Sequence, residues 1–380
     1  MDTWEEYYEL FDKKESMYKK VIGLTSGTSM DGIDAAFLKT DGLGYFEAGK
    51  AITVPYTDDF RKKLSEVVFS GVVSKTIEEL ITVLHAEVIN QLLAKTNSTS
   101  NEIDLIGFPG HTVFHCPAKR ETLQIGDGKL LAKLTGVDVV CDFRSNDVKH
   151  GGQGAPLVPL FHQAVASKLS KPLAILNLGG VANVTWLGHQ DKLIAFDTGP
   201  GNALLDDFMA FRLGKKQDTG GKLALTGNVN QSSLSKFLSH SYFLEKAPKS
   251  LDRNEFDLTP ISKLSIADGA ATLCAFTAEA VAKSVVLLPE PPKLWLVTGG
   301  GRYNLALMRE LTSRLGTEVK PVEDVGWDGD AIEAQAFGYL ALRSVKGLPL
   351  SLPSTTGVPS PTSGGVLHRF VHKYHDVHRI

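Results

Sequence analysis

The stretch L-T-S-G-T-S-M-D-G-I-D, residues 24–34, decides the fold of this 380-residue chain. Residues 19–24 read as a short strand that runs into this stretch, and residues 33–38 resume apolar strand character, which predicts a β-hairpin with a polar, glycine-containing tip. Amides and hydroxyls in such a tip can bind phosphate oxygens, and a nearby Asp can hold Mg²⁺. The glycine spacing fits neither a Walker loop nor a dinucleotide fingerprint. An ordinary hairpin of turn-forming residues is the alternative.

Strand and helix patterns alternate along the rest of the chain. Short buried strands are predicted over residues 103–106, 137–141, 173–178, 194–196 and 294–298. Helical spacing of apolar residues occurs over 74–95, 203–211 and 304–315. The order of these elements indicates an α/β protein.

Composition limits the classes of function. With 43% apolar and 22% charged residues, 380 residues exceed the usual size of a single core, so two lobes are expected. A formal net charge of -3 gives no field that would gather nucleic acid or anionic lipid, so neither is expected as a partner. A homodimer remains open.

Features of the termini and cysteines indicate a cytoplasmic protein. The three cysteines, Cys116, Cys141 and Cys274, lack the close pairing of a zinc site or a disulfide framework. The first twenty residues are charged and lack the apolar core of a secretory signal. No later apolar run approaches the roughly 20 residues that span a bilayer.

Asp197 is the candidate general base. It follows a buried strand and precedes a helix in the segment F-D-T-G-P-G-N, residues 196–202, where side chains project into a crevice. The glycines of this turn let the backbone approach a ligand closely. A helix cap is the alternative role for an Asp at this position.

Several segments, in order along the chain, resemble the anhydro-N-acetylmuramic acid kinase family. They are L-T-S-G-T-S-M-D-G-I-D (24–34), D-F-R-S-N-D-V-K-H-G-G-Q-G-A-P (142–156), N-L-G-G-V-A-N-V-T (177–185), F-D-T-G-P-G-N (196–202), and residues 298–304 and 330–337. The resemblance that these segments carry extends over nearly the whole chain, from residue 20 to about residue 366. Ordered agreement over this length is far more specific than any one segment.

The resemblance implies the two-lobed, actin-like ATPase (ribonuclease H-like) α/β fold of the sugar kinases, with ATP bound in the interlobe cleft. It places an extension at residues 1–19, lobe I at 20–135 plus 350–380, and lobe II at 136–349. Residues 27–34 become the first phosphate hairpin, 177–185 the second, and 299–301 the adenosine side. The expected nucleotide-binding residues are Gly27, Thr28, Ser29, Met30, Asp31, Gly32, Ile33, Asp34, Asn177, Gly179, Gly180, Gly299, Gly300 and Gly301.

The family resemblance also assigns roles to charged residues. Its catalytic aspartate falls at Asp197, and Asp31 and Glu333 are expected near Mg²⁺. Arg144 is expected to hold the sugar or its lactyl carboxylate, or to orient Asp197; a salt bridge with Asp142 or Asp147 is the alternative. For Glu333, a solvated position on a helix that starts near residue 328 is the alternative.

The implied reaction opens the 1,6-anhydro bridge of anhydro-N-acetylmuramic acid with water and transfers the γ-phosphoryl group of ATP to O6, in cell-wall recycling. Asp197, with a modestly raised pKa, would deprotonate the water. Two alternatives stay open. One is a kinase of another 1,6-anhydro sugar such as levoglucosan, and the other is a non-catalytic, nucleotide-gated sugar sensor.

Two segments depart from the family pattern. G-F-P-G-H-T-V-F-H-C-P, residues 107–117, has Phe108, Pro109 and His111 where Ser, His and Gln are common, so polar contacts to the sugar are predicted to differ. P-K-S-L-D-R-N-E-F, residues 248–256, also differs from the usual form. His372, His375 and His378 share a helical spacing that would align three imidazoles, although a frayed tail is the simpler expectation.

Overall fold

The computed structural model describes residues 17–27 and 30–371. Thr28, Ser29, almost all of the N-terminal extension and the three C-terminal histidines lie outside these residues. The strands, in chain order, are β1 (Lys19–Thr25), β2 (Gly32–Thr40), β3 (Phe46–Pro55), β4 (Leu105–Gly107), β5 (His111–Cys116), β6 (Glu121–Ile125), β7 (Val139–Cys141), β8 (Leu173–Leu178), β9 (Val181–Leu187), β10 (Leu193–Pro200), β11 (Leu294–Thr298), β12 (Glu318–Pro321) and β13 (Val366–His368).

The helices are α1 (Asp58–Ser70), α2 (Lys75–Thr96), α3 (Gly128–Thr135), α4 (Ser145–Lys149), α5 (Pro159–Val165), α6 (Ala203–Leu213), α7 (Gln231–Leu238), α8 (Ile266–Ser284), α9 (Leu305–Leu315), α10 (Ile332–Val345) and α11 (Pro353–Thr356). Local chemistry explains the bounds of the longest of them, α2. The Ser74 side chain accepts the Ile77 N–H at 3.3 Å, and Asn97 ends the helix in the left-handed conformation, with φ 53°.

The chain folds as two compact α/β units. Of the described residues, the first unit comprises 17–27, 30–150, 333–350 and 362–371, and the second comprises 151–332 and 351–361. This agrees with the expected two-lobed class, but the bounds differ from those predicted. Residues 136–150 belong to the first unit because β7 pairs with β4, and 351–361 belong to the second, where the Gln153 N–H donates to the Thr356 carbonyl at 2.7 Å.

The first unit is built on a six-stranded sheet in the order β13-β7-β4-β1-β2-β3. Side chains alternate across β1, so Ile22 and Leu24 pack with Ile81 of α2 in the core while Gly23 turns to α10. A Cβ on Gly23 would lie 1.8 Å from the Ala334 carbonyl oxygen. This close approach assigns residues 333–350, which had been predicted in the other lobe, to the first unit.

The second unit has a five-stranded sheet in the order β10-β9-β8-β11-β12. Strands β8, β11 and β12 are parallel, while β9 is antiparallel to both β8 and β10. β8, β10 and β11 therefore run in one direction, and their carboxyl ends lie at one edge of the sheet. This edge carries the turns that were predicted to bind ligand.

Helix α8 forms the centre of the second unit. Residues 266–287 are long and apolar enough to cross a membrane by length and composition, contrary to the expectation that no run would be. Yet 67% of this stretch is buried inside the protein, and Phe276 stacks on Phe237 with ring centroids 4.5 Å apart. Its apolar composition is that of a core helix surrounded by side chains such as Trp186 and Trp295.

Candidate active site

Asp197 lies on β10 near the carboxyl edge of the second sheet. The strand was predicted to end before it but continues to Pro200, with an irregularity in its pairing to β9 between Asp197 and Gly199. Such a bulge re-aims side chains at the end of a strand. The following helix, α6, begins at Ala203 as predicted.

Hydrogen bonds hold Asp197 on three sides. Its N–H donates to the Lys249 carbonyl at 3.0 Å, its carbonyl accepts the Tyr242 hydroxyl at 2.5 Å, and Oδ2 accepts the Leu251 N–H at 2.8 Å. Among the described residues, no protein group donates to Oδ1. The carboxylate is thus anchored through one oxygen, and the other can accept a proton from a ligand or water.

The environment of Asp197 favours proton transfer near neutral pH. Desolvation raises the pKa of its half-buried carboxyl to about 7, against the opposing effects of the Leu251 N–H and the Lys249 ammonium. This is the direction expected from the sequence. A base with a pKa close to the working pH is ionised often enough to act and basic enough to take a proton.

Sequence reasoning missed the residues that hold Asp197. Tyr242 and Lys249 are buried, and the Lys249 Nζ donates to the Tyr242 carbonyl at 2.8 Å while lying 3.9 Å from the centroid of its ring. The segment 248–256 had been singled out only because it departs from the family pattern. The available signal was that this segment begins with P-K-S, as the usual form in the family does, and so includes Lys249.

The two glycine turns predicted in the second unit are brought together. Gly179 and Gly180 join β8 to β9, and the three glycines after β11 lie beside them because β8 and β11 are neighbouring parallel strands. A Cβ on Gly299, which has φ 76°, would lie 2.4 Å from Asn177 Oδ1. A side chain at Gly301 would meet Leu178 at 2.5 Å. Gly300 lies between them at the start of a 3₁₀ turn.

Arg302 fixes the turn that contains Gly299. Its guanidinium, 2% exposed, donates to the Gly299 carbonyl at 3.0 Å and forms salt bridges with Glu323 at 2.9 Å and Asp330 at 2.8 Å. It also lies 4.1 Å from the centroid of the Tyr303 ring. A planar guanidinium can make these contacts together, which stiffens the predicted adenosine side.

The first predicted phosphate hairpin joins β1 to β2. The Met30 N–H donates to the Gly27 carbonyl at 2.9 Å, and Met30 has φ 55°. Asp31 is exposed, and its carbonyl accepts the Tyr56 N–H at 3.0 Å. Gly32 has no room for a side chain, since a Cβ would lie 2.4 Å from the Val54 carbonyl oxygen.

The remaining two residues of this hairpin have structural contacts. Ile33 is buried in the core of the first unit. The Asp34 carboxylate accepts the Thr53 hydroxyl at 2.5 Å across the β2–β3 pair. Of the two predicted carboxylates in the hairpin, Asp31 is therefore the one that faces solvent.

A buried polar network that was not predicted supports the base of this hairpin. The Ser26 hydroxyl is 2.7 Å from the Tyr56 hydroxyl and 2.9 Å from His111 Nδ1. Desolvation lowers the pKa of His111 to about 4, so its ring is neutral at physiological pH. Its neighbour His85 has a pKa lowered to about 4 for the same reason.

Arg144 and Glu333 are brought together in the first unit. Asp142 adopts φ 55° after β7, and Arg144 lies directly before α4, with its guanidinium 5.8 Å from the centroid of the Phe337 ring. Desolvation lowers the pKa of Arg144, while the charges of Glu333 and Asp147 oppose that shift. Glu333 and Asp147, one of the two salt-bridge partners named as the alternative, therefore both act on the charge of Arg144.

Glu333, in the first turn of α10, is exposed, yet surrounding protein desolvates its carboxyl. This desolvation raises the pKa of Glu333, and Arg144 opposes the rise. Within residues 17–27 and 30–371, no group of three His, Cys, Asp or Glu side chains could hold a metal ion. Binding of Mg²⁺ by Asp31 and Glu333 therefore stays a prediction.

The departures at residues 107–117 lie in the core. Phe108 and His111 are each 0% exposed, and Pro109 is buried. The Phe108 ring packs on His85, with centroids 4.8 Å apart. Phe108, Pro109 and His111 are therefore packed inside the first unit.

The two α/β units, each with a mixed sheet and a glycine turn at a strand end, form a two-lobed α/β protein, the class that the sequence predicts. The family model described as anhydro-N-acetylmuramic acid kinase matches residues 19–369. The chain belongs to that family.

Relatives agree with this assignment over nearly their whole length. The anhydro-N-acetylmuramic acid kinase of Rhodospirillum rubrum is 52% identical, covering 90% of this chain and 92% of its own length. That of Paramagnetospirillum magneticum is 51% identical, covering 91% of this chain and 99% of its own length.

Among solved structures, component A of (R)-2-hydroxyglutaryl-CoA dehydratase from Acidaminococcus fermentans has a TM-score of 0.46 at 13% identity, covering 87% of this chain and 99% of that one.

Proposed function

We propose that this protein is a cytoplasmic, ATP-dependent kinase that hydrolytically opens 1,6-anhydro-N-acetylmuramic acid and phosphorylates O6, with Asp197 as the general base. The products are N-acetylmuramate 6-phosphate and ADP, and the reaction serves cell-wall recycling. The observation that carries the proposal is the state of the Asp197 carboxyl, which is anchored at Oδ2, has no protein donor to Oδ1 among the described residues, and has a pKa of about 7.

The proposed reaction couples two bond changes. A water oxygen attacks C1 of the sugar and passes a proton to Asp197 Oδ1, while the C1–O6 bond breaks. The released O6 attacks the γ-phosphorus of ATP, and the bond from that phosphorus to the bridging oxygen breaks to release ADP. Asp197 then returns its proton to solvent. One ATP and one water are consumed for each sugar phosphate formed.

The chain's other candidates bind and orient the reactants in this proposal. In the first unit, the hairpin around Asp31 would bind phosphate oxygens of ATP. In the second unit, the turn at Gly179 and Gly180 would bind phosphate oxygens and the glycines 299–301 would leave room for the nucleoside. Asp31 and Glu333 would hold a Mg²⁺, which would neutralise phosphate charge, a role for one or two carboxylates plus water. Arg144, desolvated beside Glu333, binds the lactyl carboxylate of the sugar.

Two other functions are the alternatives to this kinase. A kinase of levoglucosan or another anhydrohexose was suggested by the altered segment 107–117, in which Phe108 and His111 are fully buried. A nucleotide-gated sugar sensor would need no base of raised pKa such as Asp197. The raised pKa of Asp197 therefore favours turnover over a sensor.

An ADP-release assay with a panel of anhydro sugars tests the proposal. We expect ADP only when 1,6-anhydro-N-acetylmuramic acid is added, and ¹⁸O from labelled water at C1 of the product. Binding of the sugar without turnover would instead indicate the sensor, and preferred turnover of levoglucosan the other kinase.

The base is tested by Asp197→Asn beside Asp59→Asn, a change at an exposed aspartate of α1. We expect Asp197→Asn to lower kcat by about 10²-fold or more while ATP affinity stays near wild type. Asp59→Asn should leave both unchanged. Equal loss of turnover and ATP affinity in Asp197→Asn would assign Asp197 to binding or folding.

A further inference from the structure

The Asp197 bracket, by which we mean Tyr242, Lys249 and Leu251, surrounds the candidate base with groups that are not adjacent to it in sequence. Two of its contacts are made by the backbone, from the Leu251 N–H to Asp197 Oδ2 and from the Asp197 N–H to the Lys249 carbonyl. The third is the 2.5 Å bond from the Tyr242 hydroxyl. A shift of residues 249–251 would therefore move Asp197 as well.

The Lys249 side chain is unusual for a charged group. It is 8% exposed, yet among the described residues it has no carboxylate within salt-bridge distance. Its Nζ contacts only a neutral carbonyl and an aromatic face, both belonging to Tyr242. Burying a cation without an adjacent anion costs free energy, so a packing role alone does not explain a lysine here.

The positive charge of Lys249 stabilises the ionised carboxylate of Asp197. Desolvation lowers the pKa of Lys249, and the charges of Glu245 and Asp197 oppose that shift. In turn, the Lys249 charge lowers the pKa of Asp197 against a larger rise from desolvation. Tyr242, the other titratable group facing Asp197, has a raised pKa and stays neutral. Glu245, which is exposed, acts on Lys249 and Tyr242 and is screened by solvent.

We propose that Lys249 is a positioning residue for Asp197: its backbone carbonyl orients the aspartate, and its buried ammonium favours the ionised form of the carboxylate over the protonated form. The inference rests on the proposed role of Asp197 as the base. Lys249 itself touches no reacting atom. Tyr242 connects the two residues, because it holds the ammonium by its carbonyl and ring and holds Asp197 by its hydroxyl.

The test is the pH profile of kcat/KM for ADP release with 1,6-anhydro-N-acetylmuramic acid and saturating ATP. Lys249→Met removes the charge and keeps an apolar stem of similar length. Without the cation the Asp197 carboxyl holds its proton to higher pH, so the acid limb should move up by about 1 pH unit. Activity on that limb should fall about tenfold at a fixed pH.

Two further variants separate charge from packing. Lys246→Met removes a lysine three residues earlier in the chain that is exposed, and its profile should match the wild type. Lys249→Arg keeps a buried charge, so its acid limb should stay at the wild-type pH even where kcat falls because the larger head is misplaced. Circular dichroism and thermal unfolding establish that each variant folds.

The outcomes decide between the two roles of Lys249. A Lys249→Met profile that is lower at every pH but has its acid limb in place would overturn the charge-setting role. If Lys249→Met does not fold, a shifted acid limb in Lys249→Arg would overturn it instead. Failure of the proposed function is recognised separately, because then the wild type itself releases no ADP with this sugar.

Discussion

Asp197 and Leu251 are joined by a 2.8 Å hydrogen bond from the Leu251 N–H to carboxylate Oδ2. A peptide N–H stabilises the ionised carboxylate without adding a counter-charge, so it lowers the pKa of Asp197 less than desolvation raises it. The folded protein thereby holds a carboxylate that is harder to ionise than in the unfolded chain. The raised pKa of Asp197 therefore makes the stability of the folded protein depend on pH.

Asp197→Asn is expected to be more stable than the wild type at pH 8. The folded-state pKa of Asp197, about 7, is above its ordinary value of 3.8, so the folded wild type binds the extra proton between these pH values. Stability of the wild type therefore falls as pH rises through this window and is constant above it. An amide has no such dependence.

Above pH 7 we expect the free energy of unfolding of Asp197→Asn to exceed that of the wild type by about 2 kcal/mol. This is less than the full rise in the pKa of Asp197 implies, because the side chain is half-buried and partly screened by solvent. Urea unfolding at pH 4.5 and pH 8 measures it, with Asp59→Asn as the matched control. An equal difference between Asp197→Asn and the wild type at both pH values would mean that the carboxyl is not desolvated.

Much of the second sheet could be predicted because its strands are short, buried and bounded by glycine. The strand predicted over 173–178 agrees with the structure residue for residue, and the helix predicted over 203–211 begins at Ala203 and ends two residues later than expected, at Leu213. Local patterns suffice there, since apolar runs and turn residues carry the information. The same patterns could not show that β10 continues through Asp197, because the bulge depends on pairing with β9.

The bracket around Asp197 was beyond sequence reasoning for a physical reason. Tyr242 and Leu251 are 45 and 54 residues from Asp197 in the chain, and both bonds involve backbone atoms, which carry no residue-specific signal. The predicted boundaries of the two lobes differ from those of the two units for a similar reason. The three-residue strand β7 is too short to show its partner. Helix α10 was placed in the other lobe because its contacts, such as those with Gly23 and Gly107, are with residues far away in the chain.

The contact of Gly23 with Ala334 predicts that Gly23→Ala is strongly destabilising. A Cβ would lie 1.8 Å from the Ala334 carbonyl oxygen and 2.5 Å from the Gly338 backbone nitrogen, so α10 must move off β1. We expect a loss of about 3 kcal/mol in the free energy of unfolding.

Chemical denaturation measures this loss, and Gly44→Ala is the control. Gly44 has no atom within 4 Å of a built Cβ, so its substitution should change stability by less than about 0.5 kcal/mol. Similar stabilities for the two variants would show that α10 does not pack directly on β1.

Arg302→Met is expected to weaken ATP binding more than it weakens the fold. The variant loses the 3.0 Å bond to the Gly299 carbonyl and both salt bridges, but the abandoned carboxylates of Glu323 and Asp330 are 43% and 60% exposed and can be hydrated. The loss of stability should therefore stay near 2 kcal/mol, below that of breaking a fully buried pair.

The turn at Gly299 would lose its anchor in this variant, so we expect the KM for ATP to rise about tenfold while kcat at saturating ATP changes little. Steady-state kinetics with Arg309→Met, at an exposed arginine of α9, provides the comparison. A fall in kcat with an unchanged KM for ATP would place the role of Arg302 away from the nucleotide. An unchanged profile in both variants would mean that the turn holds its conformation through its glycines and through its packing against Asn177 and Leu178 alone.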